Sequence, residues 1–500
     1  MKEKYYLTTT LPYVNADPHI GFALEMIQAD ALVRYERLLG KEVVFNTGTD
    51  EHGLKIHRKA EEMGIDTQDY CDQYAARFHS LRELLNLSYT NFIRTTDPHH
   101  KQAAQEFWKR CDANGDIYKK NYQVKYCVGC ELEKTDSELV DGKCPLHIKY
   151  DIELIEEENY FFRFSAFQEK LLQLYSERPD FVVPAHRLDE IRKFVEGGLQ
   201  DFSISRLKEK MPWGVPVPGD DTHVMYVWFD ALVNYISTLG WPEDEENFRA
   251  YWPGVQVAGK DNLRQQSAMW QAMLLSAGLE SSKQIFIHGF ITSEGQKMSK
   301  SLGNVVNPVD VVEKYGTDPV RFYLLGALPS YEDGDFSTRR FEEFYTAHLV
   351  NGLGNLTSRI LTMIEKYSDG KIPEKSEDIF DVRAFWGRYD KSFGKFSFDE
   401  VVRELNSFVA KCDAKISEEK PWEKAKNGES IDALLYVLVE SLRHLAIAFF
   451  PLLPESAENI LKSLHISHEQ IQGEQARAWG VLAKGNEVTK GEILFKRLES

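Results

Sequence analysis

The first fifty residues confine the fold more than any other stretch of the chain. Tyr5-Tyr6-Leu7-Thr8-Thr9-Thr10 is aromatic and β-branched and reads as a strand. Ile20 to Leu39 carries Leu24, Ile27, Ala31 and Leu38 at helical spacing and closes at Gly40. Val43-Val44-Phe45-Asn46-Thr47 is a second short strand, running into Gly48-Thr49-Asp50-Glu51-His52-Gly53. A strand, a crossover helix and a strand make a βαβ unit, which implies a parallel sheet. Such sheets bind ligands in the crevice beyond the carboxyl ends of their strands.

The pattern returns later. His223 to Val227, Val255 to Ala258 and Gln284 to His288 each read as a buried strand. At about 150 residues per domain, 500 residues allow about three domains. The expected architecture is α/β: a Rossmann-like parallel-sheet domain in two halves, 1–117 and 221–335, split by a connective insertion at 118–220. The Pro/Gly-rich stretch Met211 to Asp221 reads as the return linker. From about Phe336 amphipathic helical patterns replace strands, so 336–500 is expected to be a separate α-helical domain.

Composition narrows the class. Hydrophobic residues are 43% and aromatics 12%, enough for several cores. The longest apolar runs, such as Leu445 to Leu453, fall short of the ~20 residues of a membrane span. Met1-Lys2-Glu3-Lys4 has no apolar signal core behind it, which points to a soluble, cytoplasmic protein with no membrane partner. The net charge of −18 argues against a nucleic-acid partner at face value. It is unevenly spread: from His348 onward 21 Lys and Arg face 24 Asp and Glu, so a local basic face on the last third is compatible with it. Six cysteines in a chain this long do not make a disulfide framework, and the scattered Cys71, Cys111 and Cys412 read as small buried hydrophobes.

Three motifs carry chemistry. Pro18-His19-Ile20-Gly21-Phe22 sits at a strand-to-helix turn, where unpaired N–H groups and the helix dipole favour an anion. His19 can donate to phosphate there, and Gly21 lets a ligand approach the backbone. Taken alone, the same residues also fit an ordinary loop with a surface histidine. Gly295-Gln296-Lys297-Met298-Ser299-Lys300-Ser301-Leu302-Gly303 brackets Met-Ser with two lysines suited to clamping a polyphosphate. It lacks the Walker spacing, and alone it fits a solvated charged loop. Cys127 and Cys130, then Cys144 and His147, are two pairs with two-residue spacers, three thiolates and an imidazole. That donor set suits one tetrahedral, structural Zn²⁺ that folds part of the insertion.

Together, the His-Ile-Gly turn and the Lys-Met-Ser-Lys-Ser loop on two halves of one sheet resemble the paired signatures of class I aminoacyl-tRNA synthetases. Thr8 to Asn15, Gly48 to Gly53, Tyr226 to Ala231 and Gly259-Lys260-Asp261 stand in the order seen in the methionyl-tRNA synthetases, so the resemblance extends to that family over effectively the whole chain. It implies a catalytic domain with a zinc knuckle in its insertion and a helical anticodon-binding domain. It also implies ATP with Mg²⁺, L-methionine and tRNA(Met) as substrates and partners. By resemblance, His19, Lys297 and Lys300 act in catalysis, and His19, Gly21, Glu25, Gly259, Asp261 and Lys300 bind ATP. Leu11, Tyr13, Trp228, Ala231, Tyr235 and Gln266 line the methionine pocket, with Asp50 on the substrate ammonium. Asn355 and Arg359, i,i+4 neighbours on a helix, and Trp422 read the CAU anticodon.

The chain departs from the family pattern twice. Phe22 stands where the family has a second histidine and cannot donate to phosphate. Gln266 stands where the family often has a histidine; it keeps a hydrogen bond but carries no titratable proton. Discrimination by one methylene is worth only about 1–3 kcal/mol, so homocysteine is an expected competitor. A dimerising C-terminal module found in some relatives has no room before Ser500, so a monomer is expected. Two other readings stand beside this one: a class I ligase for leucine, isoleucine or cysteine, and a non-catalytic zinc-knuckle tRNA-binding protein. The size of the insertion speaks against the aliphatic ligases, and the intact lysines against the binding protein.

Overall fold

The computed structural model describes residues 2–129, 132–134, 138–298 and 304–498, apart from a few side chains within these ranges. Its centre is a six-stranded sheet built from β1 (Lys4–Thr9), β2 (Glu42–Thr49), β3 (Asn91–Arg94), β4 (Val182–Val183), β5 (Val255–Gly259) and β6 (Gln284–His288). The strand order is β3-β2-β1-β5-β6-β4, and every pairing is parallel. Helix α1 (Ile20–Leu38) crosses from β1 to β2 and is buried along almost its whole length, Glu25, Asp30 and Arg34 included. The order reverses between β1 and β5, so their carboxyl ends flank the crevice where such sheets bind ligands. Strands β2 and β3 approach so closely that a Cβ on Gly48 would lie 1.7 Å from the carbonyl oxygen of Ile93, and only glycine fits there.

One expectation from sequence is corrected. The segment read as a parallel strand at His223 to Val227 is instead Asp220–Met225, paired antiparallel with Pro216–Val217 and Ser205–Leu207. Its first half is polar and exposed, whereas a strand of a parallel sheet is buried on both faces. The stretch 118–220 is part arm and part sheet cover. Ile117–Cys127 and Glu153–Phe162 form a long antiparallel arm. Helices Gln168–Glu177 and Ala185–Glu196, however, bury Leu171, Tyr175, Leu188 and Ile191 in the same core as Ala258 and Ile285, and β4 adds an edge to the central sheet. A two-residue strand is too short to leave a periodic signal.

Helices Asn355–Tyr367, Val382–Phe393, Phe398–Glu419, Asp432–Phe449 and Pro454–Ser463 form the expected bundle. It shares one apolar core with the sheet: Phe286 of β6 stacks on Phe396 at 4.9 Å, and Tyr35 of α1 on Phe393 at 4.2 Å. Among the described residues no helix is long and apolar enough to cross a membrane. Cys71, Cys111 and Cys412 are buried as read from the sequence, and burial pushes the thiols of Cys111 and Cys412 up to about 12.

Candidate active site

The loops leaving β1 and β2 are zipped together by their backbones. Asp50 N–H donates to the Pro12 carbonyl at 3.0 Å, and Val14 N–H donates to the Asp50 carbonyl at 3.2 Å. This sets Leu11 and Tyr13 beside Asp50. Trp228 and Ala231 lie on the short helix Val227–Ala231, and Tyr235 on the next, Asn234–Ser237. Asn46 of β2 fastens these helices by donating to Asn234 Oδ1 at 3.1 Å. Buried Asp230, between His52 Nδ1 at 3.2 Å and His100 Nε2 at 3.8 Å, ties the same helix to the loop that carries Asp50. Burial opposes ionisation of Asp230, but His52 and His100 outweigh it and hold the carboxyl below its ordinary range.

These loops and the ends of β5 and β6 enclose a cavity of about 830 Å³. His19, Gly21, Glu25, Gly259 and Asp261 line one part of it, as do Leu11, Tyr13, Asp50, Trp228, Ala231, Tyr235 and Gln266. The residues expected from sequence to bind ATP and methionine, Lys300 apart, therefore converge on one space. Lys300 lies outside the described residues. Lys297 sits on the strand Gln296–Lys297, paired antiparallel with Ile291–Ser293, and the neighbouring Met298 lines the cavity.

His19 is the N-cap of α1: its Nδ1 accepts from Gly21 N–H at 3.1 Å. The ring proton is then assigned to Nε2, the nitrogen that would donate to a phosphate oxygen. Glu25 is buried and held on both oxygens. Thr10 N–H and hydroxyl donate to Oε1 at 2.8 and 2.5 Å, and His288 Nε2 lies 3.0 Å from Oε2. Burial works against a charged His288, but the Glu25 carboxylate outweighs it and raises the imidazole above its ordinary value. His288 is a cavity residue that the sequence reading passed over. The signal was present: it ends a parallel strand and precedes a glycine, at the same carboxyl edge of the sheet where Asp50 follows β2. Phe22 packs edge-on against Phe78 at 5.2 Å, so an apolar contact fills the place of the second histidine.

Gln266 lies in a turn of π-helix, Gln265–Met269, which helical periodicity cannot reveal. Its Nε2 donates to the Tyr235 hydroxyl at 2.7 Å, and its Oε1 accepts from Gln256 at 3.2 Å. Ser282 donates to Gln256 at 2.7 Å, and Gln271 donates to both Ser282 and the Gln266 carbonyl, at 3.0 and 2.8 Å. This closed ring of neutral amides and one hydroxyl fixes the Tyr235 hydroxyl at the cavity wall. Gln266→His is expected to break the ring and raise KM for methionine about tenfold, near 1.4 kcal/mol. It should also introduce an ionisation near pH 6.5 into KM between about pH 5 and 8. KM measured across that range checks it, and a flat profile for the variant would count against the ring.

In the arm, the ligand atoms of Cys127, Cys144 and His147 lie within 4.8 Å of one another, and both thiols are buried. A Cβ on Gly129 would come within 2.4 Å of His147, so the turn is shaped around that ring. Cys130 lies outside the described residues. Lys55, which lines the cavity, donates to the Gly129 carbonyl at 3.4 Å and so links the knuckle to the cavity mouth. In the bundle, Asn355 is exposed, and Arg359 pairs with Asp413 at 2.5 Å. Trp422 is 45% exposed on Pro421–Lys426, consistent with a stacking platform and not with a core tryptophan.

A family model described as tRNA synthetases class I (M) matches residues 5–153 and 146–361, and one described as the anticodon-binding domain of tRNA ligase matches 384–490. The methionine–tRNA ligase of Thermosynechococcus vestitus is 41% identical, over 100% of this chain and 98% of that protein. That of Thermotoga maritima is 40% identical, over 99% of this chain and 81% of that protein. Among solved structures, Mycobacterium tuberculosis methionyl-tRNA synthetase in complex with methionyl-adenylate superposes with a TM-score of 0.93. It is 38% identical and covers 99% of this chain and 100% of that one. A parallel sheet with its order reversed at the cavity, a His-Ile-Gly turn capping the first crossover helix and a helical bundle behind it define a class I aminoacyl-tRNA synthetase. Within that class the chain belongs to the methionyl-tRNA synthetase family, and its activity is that of a methionine–tRNA ligase.

Proposed function

We propose that the 830 Å³ cavity carries out both half-reactions of methionine–tRNA ligation, and the observation that carries this reading is the convergence of the expected residues on it. The methionine carboxylate attacks the α-phosphorus of ATP in line, pyrophosphate leaves, and the terminal ribose hydroxyl of the tRNA attacks the resulting acyl-adenylate. The methionyl-adenylate bound by the Mycobacterium tuberculosis relative supports that intermediate. No covalent enzyme intermediate is required. Positioning and stabilisation of the departing charge supply the rate.

His19 Nε2, Lys297 and Lys300 act on the phosphates, whose charge Mg²⁺ bound with ATP would partly neutralise. Gly21, Gly259 and Asp261 hold the nucleotide, with Glu25 keeping Thr10 and His288 in place beneath it. Asp50 pairs with the substrate ammonium, while Leu11, Tyr13, Trp228, Ala231 and Tyr235 surround the thioether and Gln266 holds the Tyr235 hydroxyl. Asn355, Arg359 and Trp422 take the CAU anticodon of tRNA(Met). The working division is 1–117 and 221–335 for catalysis, 118–220 for the insertion and 336–500 for the anticodon domain, with β4 as the insertion's contribution to the sheet. The protein acts as a cytoplasmic monomer.

Cys127, Cys130, Cys144 and His147 would hold one Zn²⁺, whose four protein ligands leave no open position for catalysis. Cys127→Ser is expected to lose the zinc. It should lower tRNA charging by up to about 10²-fold, the cost of a misplaced acceptor end, while activation of methionine persists. Metal content with parallel exchange and charging assays checks this, and retained zinc with full charging would overturn it. Amino-acid-dependent ATP–pyrophosphate exchange tests the main proposal. Exchange with methionine is expected; exchange with leucine or cysteine instead would assign a neighbouring ligase, and none at all would leave a binding protein.

A further inference from the structure

Helix α1 begins at the phosphate-side turn and ends against the helical bundle, and its polar side chains are bonded along that path. Asp30 is fully buried. Its carboxylate accepts from Ser88 N–H and hydroxyl at 2.6 and 2.7 Å, from Arg34 Nε at 2.7 Å and from the Arg321 guanidinium at 2.8 Å. Burial opposes the charge, but Arg34 and Arg321 outweigh it and lower the carboxyl to about 2. Arg321, equally buried, spends its other donors on the carbonyls of Leu85, Pro451 and Leu452, each at 3.0 Å. Pro451 and Leu452 directly follow helix Asp432–Phe449 and Phe450. That helix packs on Asn355–Tyr367, which carries Asn355 and Arg359.

Further along α1, Tyr35 makes a second attachment. Its hydroxyl donates to Asp390 Oδ1 at 3.0 Å, its ring stacks on Phe393, and Arg477 grips the same carboxylate at 2.7 and 3.0 Å. A helix of 19 residues spans about 28 Å, long enough to reach from the phosphate-side turn to the bundle. Removing a partner from a buried, hydrogen-bonded ion pair is costly, so sliding α1 past the bundle would be costly as well.

We propose that α1 is the strut through which seating of the anticodon in the bundle sets the position of His19 and Glu25 in the cavity, with Asp30, Tyr35 and Arg321 as positioning residues. The inference rests on the roles given above to His19 and Asn355. Coupling of this kind is a differential effect: it changes charging when the bundle is occupied and leaves the tRNA-independent step alone.

Two variants test it. Tyr35→Phe removes one hydroxyl and keeps the stacked ring, and Asp390→Asn alters the same attachment from the bundle side at a residue whose side chain is 40% exposed. Methionine-dependent exchange without tRNA should be unchanged in both. The kcat for charging tRNA(Met) should fall about fivefold or more, with KM for tRNA unchanged, and discrimination against a tRNA with an altered anticodon should shrink by the same factor. Unchanged charging, or equal losses in exchange and charging, would overturn the strut and leave these contacts purely structural. Absence of methionine exchange in the unaltered enzyme would instead defeat the reading of the cavity, so the two failures are distinguishable.

Discussion

His19→Ala should lower kcat for methionine-dependent ATP–pyrophosphate exchange by about 10²–10³-fold, the cost of one preorganised donor to a developing oxyanion. The effect belongs in kcat, since a donor that serves mainly the departing pyrophosphate contributes little to ground-state binding. Two features make this chain unusually dependent on His19. Phe22 packs on Phe78 where a second imidazole would otherwise donate. The His19 ring is also held by Gly21 N–H, so its donor is fixed before substrate arrives. A Cβ on Gly21 would sit 3.0 Å from His19 Cε1 and Nδ1, so Gly21→Ala should push the ring aside and give part of the same loss without removing it. Steady-state exchange with melting temperatures as a folding control decides the matter. A His19→Ala enzyme retaining more than a tenth of its kcat would show that the lysines carry the phosphate chemistry alone.

Asp50→Asn should reduce kcat/KM for methionine by about 10²-fold or more, near 3 kcal/mol, by leaving the substrate ammonium in the cavity without its counter-charge. Asp50 is buried, with 8% of its surface exposed, so solvent screens it little. Asparagine preserves the shape, the Asp50 N–H bond to Pro12 and the Val14 bond to the Asp50 carbonyl, so the loop geometry should survive. The loss should therefore appear in KM for methionine and leave KM for ATP unchanged. Equal changes in both would mean that Asp50 acts on the loop and not on the amine.

Much of the site was legible because its chemistry is written locally. Asp50 directly follows one apolar strand, Gly259 ends another and His19 lies in the turn between β1 and α1, and a parallel sheet brings such positions together whatever its helices look like. The cysteine spacing was legible for the same reason, since two residues between ligands already fix a turn around an ion. What escaped the sequence was pairing. Asp220–Met225 has the composition of a strand, but nothing local states that its partners are Pro216–Val217 and Ser205–Leu207. Gln266 was readable as a departure from the family pattern. Its ring with Gln256, Ser282 and Gln271 was not, because the ring is closed by hydrogen bonds between a strand, a π-turn and a loop.

The net charge shows where the division lies. A chain at −18 that acts on tRNA must arrange its charges unevenly, and the near-balanced stretch after His348 contains the bundle that carries Asn355, Arg359 and Trp422. By itself the sequence determined the kind of sheet and where the candidate reacting side chains and metal ligands stand along the chain, because each is a pattern of residue type at short spacing. Only the tertiary structure decided which strands pair, what holds Glu25 and Tyr235 in place, and that Asp30 is bonded to Arg321 across 291 residues of sequence. Those are long-range contacts between polar groups, and their strength comes from burial that no local pattern records.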